Sequence, residues 1–206
     1  MTGRELRSLT AVLADARRRG FLGPGPVHHH VRHALGFARC PAVAAARLSL
    51  DLGSGGGVPG LVLAAELPAS TWVLLDAHRA RTSFLSDAVG ILELGARVTV
   101  VTARAEDLGR DAGHRGRYDV VVARSFGRPA VVAECSAPLL RVGGSLVVSE
   151  PPEAEDRWPD GPLSTVGLRF LHVEPGPPRL AVLAQEVPCP DRFPRRVGVP
   201  DKRPLW

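Results

Sequence analysis

The chain predicts an α/β fold: a doubly wound, mostly parallel sheet of seven strands with helices on both faces. Three observations carry this reading. From Arg47 onward, short apolar runs alternate with helical patterns, the rhythm of strand–helix–strand units. The runs are apolar throughout, as in Val73-Leu74-Leu75 and Val120-Val121-Val122, which suits strands covered on both faces. The first of them passes straight into Asp51-Leu52-Gly53-Ser54-Gly55-Gly56-Gly57-Val58-Pro59-Gly60. There the glycines allow a sharp turn and close approach to a ligand, ahead of a helix N-terminus.

A chain of 206 residues holds one such domain with short additions. The expected segments are a helical extension over 1–46, the sheet domain over 47–188 and a basic tail over 189–206. The net charge is +5, and Lys202 is the only lysine among 26 basic residues. That excess favours a nucleic-acid partner over a small neutral substrate. No apolar run approaches membrane-span length and the N-terminus has no signal-peptide core, so a cytoplasmic protein without a membrane partner is expected. Cys40, Cys135 and Cys189 are far apart in sequence and read as reduced thiols, not ligands.

Residues 1–22 read as a helix, with Leu6, Leu9, Val12 and Leu13 at helical spacing and Arg17, Arg18 and Arg19 near its end. Gly23-Pro24-Gly25-Pro26 breaks the chain. Val27 to His33 contains four histidines, but consecutive helical residues point apart and no acid or thiol stands nearby, so no metal site is expected. The segment reads instead as an Arg/His-rich helix near a binding cleft, continued by an alanine-rich stretch broken at Pro41. Strands are expected at Leu48–Asp51, Thr71–Asp76, Arg97–Val101, Tyr118–Ala123 and Gly144–Ser149, with helices at Val58–Leu67, His78–Leu94 and Pro129–Leu140. After Pro151 the chain is proline-rich and acidic to Gly161. Leu168–Val173 and Leu180–Val187 then finish the sheet as an antiparallel edge pair. The tail from Cys189 reads either as an RNA-backbone contact or as a solvated terminus.

Two ligands compete for the glycine turn. Gly55-Gly56-Gly57-Val58-Pro59-Gly60 satisfies the G-x-G-x-x-G dinucleotide fingerprint. The other register, Asp51-x-Gly53-x-Gly55-x-Gly57, puts an acid at the strand end, suited to the α-ammonium of S-adenosylmethionine (SAM). Asp76, ending the second strand, suits the ribose hydroxyls of either cofactor. Arg104-Ala105-Glu106-Asp107 follows the third strand, where a backbone turn suits an adenine edge. Arg124-Ser125-Phe126 follows the fourth, closest to a substrate, and Arg124 suits a carboxylate or a phosphate.

Asp51–Gly60 with Asp76, Ala105-Glu106 and Arg124 resembles the bacterial 16S ribosomal RNA guanine-N7 methyltransferases, also called glucose-inhibited division protein B. The tail Phe193-Pro194-Arg195-Arg196-x-Gly198-x-Pro200-x-Lys202-x-Pro204-Leu205 is similar to the ending of many members, and Arg32-His33 matches the Arg-His of their N-terminal helix. The resemblance implies a Rossmann-like, class I methyltransferase fold with SAM as cofactor and 16S RNA in the small ribosomal subunit as partner, in a monomer. It implies SAM contacts at Gly53, Val58, Ala105, Glu106 and Arg124, with Asp76 as the ribose-binding acid; Asp51 and Gly55 are expected to join them from the reading of the glycine turn. It places Arg32, His33, Arg195, Arg196 and Lys202 on the RNA side. Guanine N7 carries a lone pair and no proton, so no catalytic acid, base or nucleophile is nominated.

Two departures from the family pattern stand out. Gly36-Phe37 replaces an Asp-Ser, and Ser149-Glu150-Pro151 replaces a Lys-Gly after the fifth strand, putting an acid where the family has a cation. Three alternatives therefore stay open: another acceptor, a non-catalytic RNA-binding or ribosome-assembly protein, and an NAD-dependent oxidoreductase.

Overall fold

The computed structural model describes residues 1–152 and 156–206, so residues 153–155 of the acidic stretch lie outside the described residues. The first half of the chain comprises α1 (Gly3–Arg18), α2 (Val27–Ala38), α3 (Pro41–Ala44), β1 (Leu48–Leu52), α4 (Gly60–Glu66), β2 (Thr71–Asp76), α5 (Arg79–Ile91), β3 (Val98–Thr102) and α6 (Ala105–Leu108). The second half comprises β4 (Tyr118–Ala123), α7 (Pro129–Ser136), β5 (Leu140–Glu150), α8 (Asp160–Ser164), β6 (Leu168–Glu174), β7 (Arg179–Gln185) and α9 (Val199–Lys202). The sheet runs β3-β2-β1-β4-β5-β7-β6. Its first five strands are parallel, while β7 pairs antiparallel with both β5 and β6.

Alternation along the strands builds two cores. Leu74, Val120, Val122 and Val147 face one side of the sheet. Val73, Leu75, Val121, Ala123 and Leu146 face the other. The first face is covered by α1–α5, so the N-terminal helices share one core with the sheet: Leu9, Leu13, Phe37, Leu61 and Leu85 are each fully buried there. The second is covered by α7, α8 and the tail, through Val132, Leu163 and Phe193.

Local chemistry sets the element ends. Thr2 and Glu5 close a capping box on α1, with the Glu5 N–H donating to Thr2 Oγ1 at 3.3 Å and the Thr2 N–H to Glu5 Oε2 at 2.5 Å. Leu9, Val12, Leu13 and Ala16 then form its buried stripe. Helix α4 starts at Gly60, with Pro59 just outside it rather than in its first position. Helix α7 is shorter than expected and β5 longer, because Leu140 already belongs to the strand.

The Gly36-Phe37 departure is a packing feature. A Cβ on Gly36 would lie 2.1 Å from Cδ of Pro178 in the β6–β7 connection. Phe37 is wholly buried, and Arg39 Nη2 donates to Pro177 O at 3.1 Å. Gly36-Phe37 therefore serves the contact between α2 and the β6–β7 connection.

Candidate functional site

Strand order reverses between β1 and β4, so their C-terminal ends open a crevice. Gly53, at the mouth of β1, has φ +75°, and a Cβ there would lie 2.6 Å from the Phe126 ring. Both the dihedral angle and the ring require glycine. The turn is then tied to β2: the Ser54 N–H donates to Leu75 O at 2.8 Å and the Gly55 N–H to Asp76 Oδ2 at 2.9 Å. Asp76 Oδ1 accepts the His78 N–H at 2.9 Å. The result is a cleft of about 320 Å³ lined by Gly53 after β1, Asp76 of β2, Ala105 and Glu106 of α6, and Gly198 and Lys202 from the tail. Cys135 also lines it, but burial pushes its thiol far up, so it is no nucleophile.

Asp51, Gly55, Val58 and Arg124 do not line this cleft. Val58 packs into the core, and Asp51 is buried beside the start of α4, its Oδ2 accepting the Gly60 N–H at 2.9 Å while Oδ1 has no partner among the described residues. Burial pushes the Asp51 carboxyl up to about 7. Arg124 Nη2 meets His30 Nδ1 at 2.8 Å, and its Nη1 is buried without a partner among the described residues. Since guanidinium only donates, His30 must present the Nδ1 lone pair and be neutral. Burial, with Arg124 second, lowers the affinity of His30 for a proton. The same causes push His33 down to about 4. Asp51, His30 and His33 all sense the Arg124 charge. Asp51 Oδ1, Arg124 Nη1 and both histidine Nε2 atoms thus form a buried polar group without internal partners.

A second cavity, of about 290 Å³, adjoins the cleft, and both are lined by Ser125, Phe126 and Gly127. Ser125 sits at φ +57°, an uncommon conformation for a residue with a side chain and one that clusters at functional loops. Glu150, Arg157 and Trp158 also line this cavity. Glu150 Oε2 takes Arg157 Nη1 at 2.5 Å, and Oε1 takes Trp158 Nε1 at 3.1 Å. The acid that replaces the family lysine thus carries its own cation.

The tail is docked rather than solvated. Arg115 donates to the carbonyls of Gly109, Cys189, Pro190 and Phe193 at 2.7–3.1 Å. Glu106 Oε1 accepts the Gly198 N–H at 2.9 Å, so this acid holds the tail over the cleft. Arg195, expected on the RNA side, is committed to Glu134: Nε donates to Oε1 at 2.8 Å and Nη2 to Oε2 at 2.5 Å. The physical reason is that Glu134 is fully buried and its charge needs a partner. The visible signal was a lone acid in the apolar run of α7. His33 also departs from expectation, turning inward beside Phe37 while its neighbour Arg32 stays exposed. Arg196 and Lys202 are exposed.

The chain matches the family described as rRNA small subunit methyltransferase G (GidB) over residues 26–160. It is 38% identical to the ribosomal RNA small subunit methyltransferase G of Rubrobacter xylanophilus over 217 residues, covering 97% of this chain and 82% of that one. Its identity to the Deinococcus radiodurans protein of the same name is 41% over 167 residues, covering 77% of this chain and 66% of that one. Among solved structures, a Geobacter sulfurreducens methyltransferase aligns with TM-score 0.62 and 15% identity over 88% of this chain and 89% of that one. The Streptomyces achromogenes O-methyltransferase TomG, in complex with SAM, aligns with TM-score 0.61 and 17% identity over 86% and 89%. These two likenesses establish the class I methyltransferase fold. With the family match across most of the sheet domain, they make the assignment: the chain belongs to the rRNA small subunit methyltransferase G family.

Proposed function

We propose that this chain transfers the methyl group of SAM to N7 of a guanine in 16S RNA of the small ribosomal subunit, acting as a cytoplasmic monomer. One observation carries the reading: a cleft suited to a nucleoside and a second, base-sized cavity share the wall Ser125–Gly127. Methyl transfer needs donor and acceptor held on either side of one point.

The residues present fit SAM. Asp76 sits at the second strand end, 4% exposed and lining the cleft, where a ribose is expected. Ala105 begins a short helix beside it, where an adenine edge is expected. Asp51 Oδ1 and Arg124 Nη1, buried outside the cleft lining and without partners among the described residues, are the acceptor and donor proposed for the ammonium and carboxylate of the SAM amino acid. NAD has no such zwitterion, which favours the earlier register of the glycine turn.

SAM supplies a methyl already activated on a sulfonium. The chain's own work is positioning, which alone supplies a large part of such an acceleration. Gly53 lets Phe126 close on the turn. Phe126 and the strained Ser125 separate the two cavities. Of the cations expected on the RNA side, Arg32, Arg196 and Lys202 are exposed and available to hold RNA phosphates. N7 has no proton to remove, so the inert Cys135 thiol and the neutral histidines take no part in bond making.

The test is methyl-labelled SAM with small subunits from cells lacking the guanine-N7 enzyme. Label recovered as N7-methylguanosine in 16S RNA is the expected result; label elsewhere, or none, overturns the reading. Arg124→Ala is expected to weaken SAM binding by about tenfold or more, since it removes one charge-assisted contact. Unchanged affinity by calorimetry in the folded variant would remove Arg124 from the site.

Asp51 predicts a pH dependence. Its carboxyl is raised from 3.8 to about 7, so the folded chain binds a proton that the unfolded chain has released. That contribution to stability is lost as pH rises through 3.8 to 7, then levels off. A cationic ligand needs the ionised form, so SAM affinity should rise with pH up to about 7. Asp51→Asn should stabilise the ligand-free protein at pH 8 by on the order of 1–3 kcal/mol and flatten the pH dependence of binding. Urea melts and calorimetry at pH 5.5 and 8 check both signs.

A further inference from the structure

The second cavity has a chemistry of its own, built around Glu150. We infer that Glu150, held by Arg157 and Trp158, reads the Watson–Crick edge of the acceptor guanine; this rests on the methyl-transfer reading above.

The cavity is about 290 Å³, the small end of the ligand-pocket range, suited to one base and not to a whole nucleotide. Two aromatic rings, Phe126 and Trp158, line it, and aromatic rings are the usual partners of a base removed from its stack. The same cavity is lined by one carboxylate, Glu150, and one guanidinium, Arg157. The Glu150 side chain is 3% exposed and the Arg157 side chain 31% exposed. Each Glu150 oxygen takes one bond from the protein, Oε2 from Arg157 and Oε1 from Trp158. A carboxylate has about four acceptor sites, so lone pairs remain for a ligand.

Guanine matches this wall. Its N1–H and 2-amino group are adjacent donors, the pair a carboxylate accepts, and O6 beside them accepts from a guanidinium. Adenine does not match, because its N1 is an acceptor that would face the carboxylate and its 6-amino group would face Arg157. Binding the Watson–Crick edge at Glu150 leaves N7, on the other edge of the purine, toward the Ser125–Gly127 wall shared with the cofactor cleft. The acid in place of the family lysine is thus a specificity device rather than a loss of function. A site built to pair a donor group discriminates strongly against an analogue that lacks it.

The experiment measures SAM-dependent methylation of small subunits from cells lacking the guanine-N7 enzyme. GMP, IMP and AMP serve as competitors for wild type and Glu150→Gln, with SAM affinity followed by calorimetry. IMP differs from GMP only by lacking the 2-amino group. Wild type is expected to be inhibited by GMP about tenfold or more better than by IMP, and least by AMP. In Glu150→Gln, kcat/KM should fall by about tenfold to a hundredfold and the GMP/IMP ratio collapse toward one, with SAM affinity unchanged. A lowered rate with an unchanged ratio means that Glu150 only braces the wall and overturns the inference. Equal inhibition by GMP and AMP, or none by either, also overturns it while leaving methyl transfer intact. Absence of SAM binding or of transfer by wild type instead overturns the reading on which it rests.

Discussion

Arg195→Ala is expected to lower the unfolding free energy by about 3–5 kcal/mol, because it strands a fully buried carboxylate. Glu134 accepts three donors from one residue: the Arg195 N–H at 2.9 Å, Nε at 2.8 Å and Nη2 at 2.5 Å. Without the guanidinium, the ionised Glu134 has only the backbone donor, and water cannot reach it in α7. In a chain of this size the loss corresponds to a fall in Tm of roughly 10 °C. Restoring an apolar wall with Glu134→Leu in the same chain should recover much of it, since a buried pair is often replaceable by packed apolar groups. Arg196→Ala, next door and exposed, should leave stability within about 0.5 kcal/mol. It should instead weaken RNA binding and reduce its salt dependence by about one unit of slope. Melts of the three variants check the first statements, and RNA titrations at several salt concentrations check the last. A stable Arg195→Ala with weakened RNA binding would return that arginine to the RNA side.

Asp76→Asn is expected to weaken SAM binding by about a hundredfold or more, the loss of two charge-assisted hydrogen bonds to ribose hydroxyls at about 1.5–3 kcal/mol each. The substitution keeps the shape but acts twice. It removes the charge at the cleft, and it turns an amide donor toward either the Gly55 or the His78 N–H, each now bonded at 2.9 Å. The turn therefore loosens where a ligand needs it rigid. Calorimetry with SAM, compared with the melting temperature of the ligand-free protein, separates the two effects. Affinity within threefold of wild type would remove Asp76 from the ribose site.

Much of this site was legible in order but not in depth. Asp51, Asp76 and Arg124 fall at or just past strand ends, and a parallel sheet brings its strand ends together, so spacing alone pointed them at one cleft; Asp76 lines it, whereas Asp51 Oδ1 and Arg124 Nη1 are buried outside its lining. The role of Glu106 was not legible. Its carboxylate is spent on Gly198, 92 residues away, and no local pattern announces that distance. His30 was one of four similar histidines. Only the helix rotation that buries His30 and leaves His28 and His29 exposed singles it out as the partner of Arg124. The Glu150 departure was visible as a reversed charge, but its compensation by Arg157 was not.

By itself the sequence determined the mostly parallel sheet, its antiparallel edge pair and the glycine turn, because hydrophobic period, glycine placement and strand-end acids act over a few residues. The tertiary structure alone decided which charges are free. It gave Arg195 to Glu134 and Arg157 to Glu150, clamped the tail with Arg115, and left Arg32, Arg196 and Lys202 exposed. The physical reason is desolvation: a buried carboxylate must find a cation wherever the fold brings one, and sequence separation places no limit on where that is.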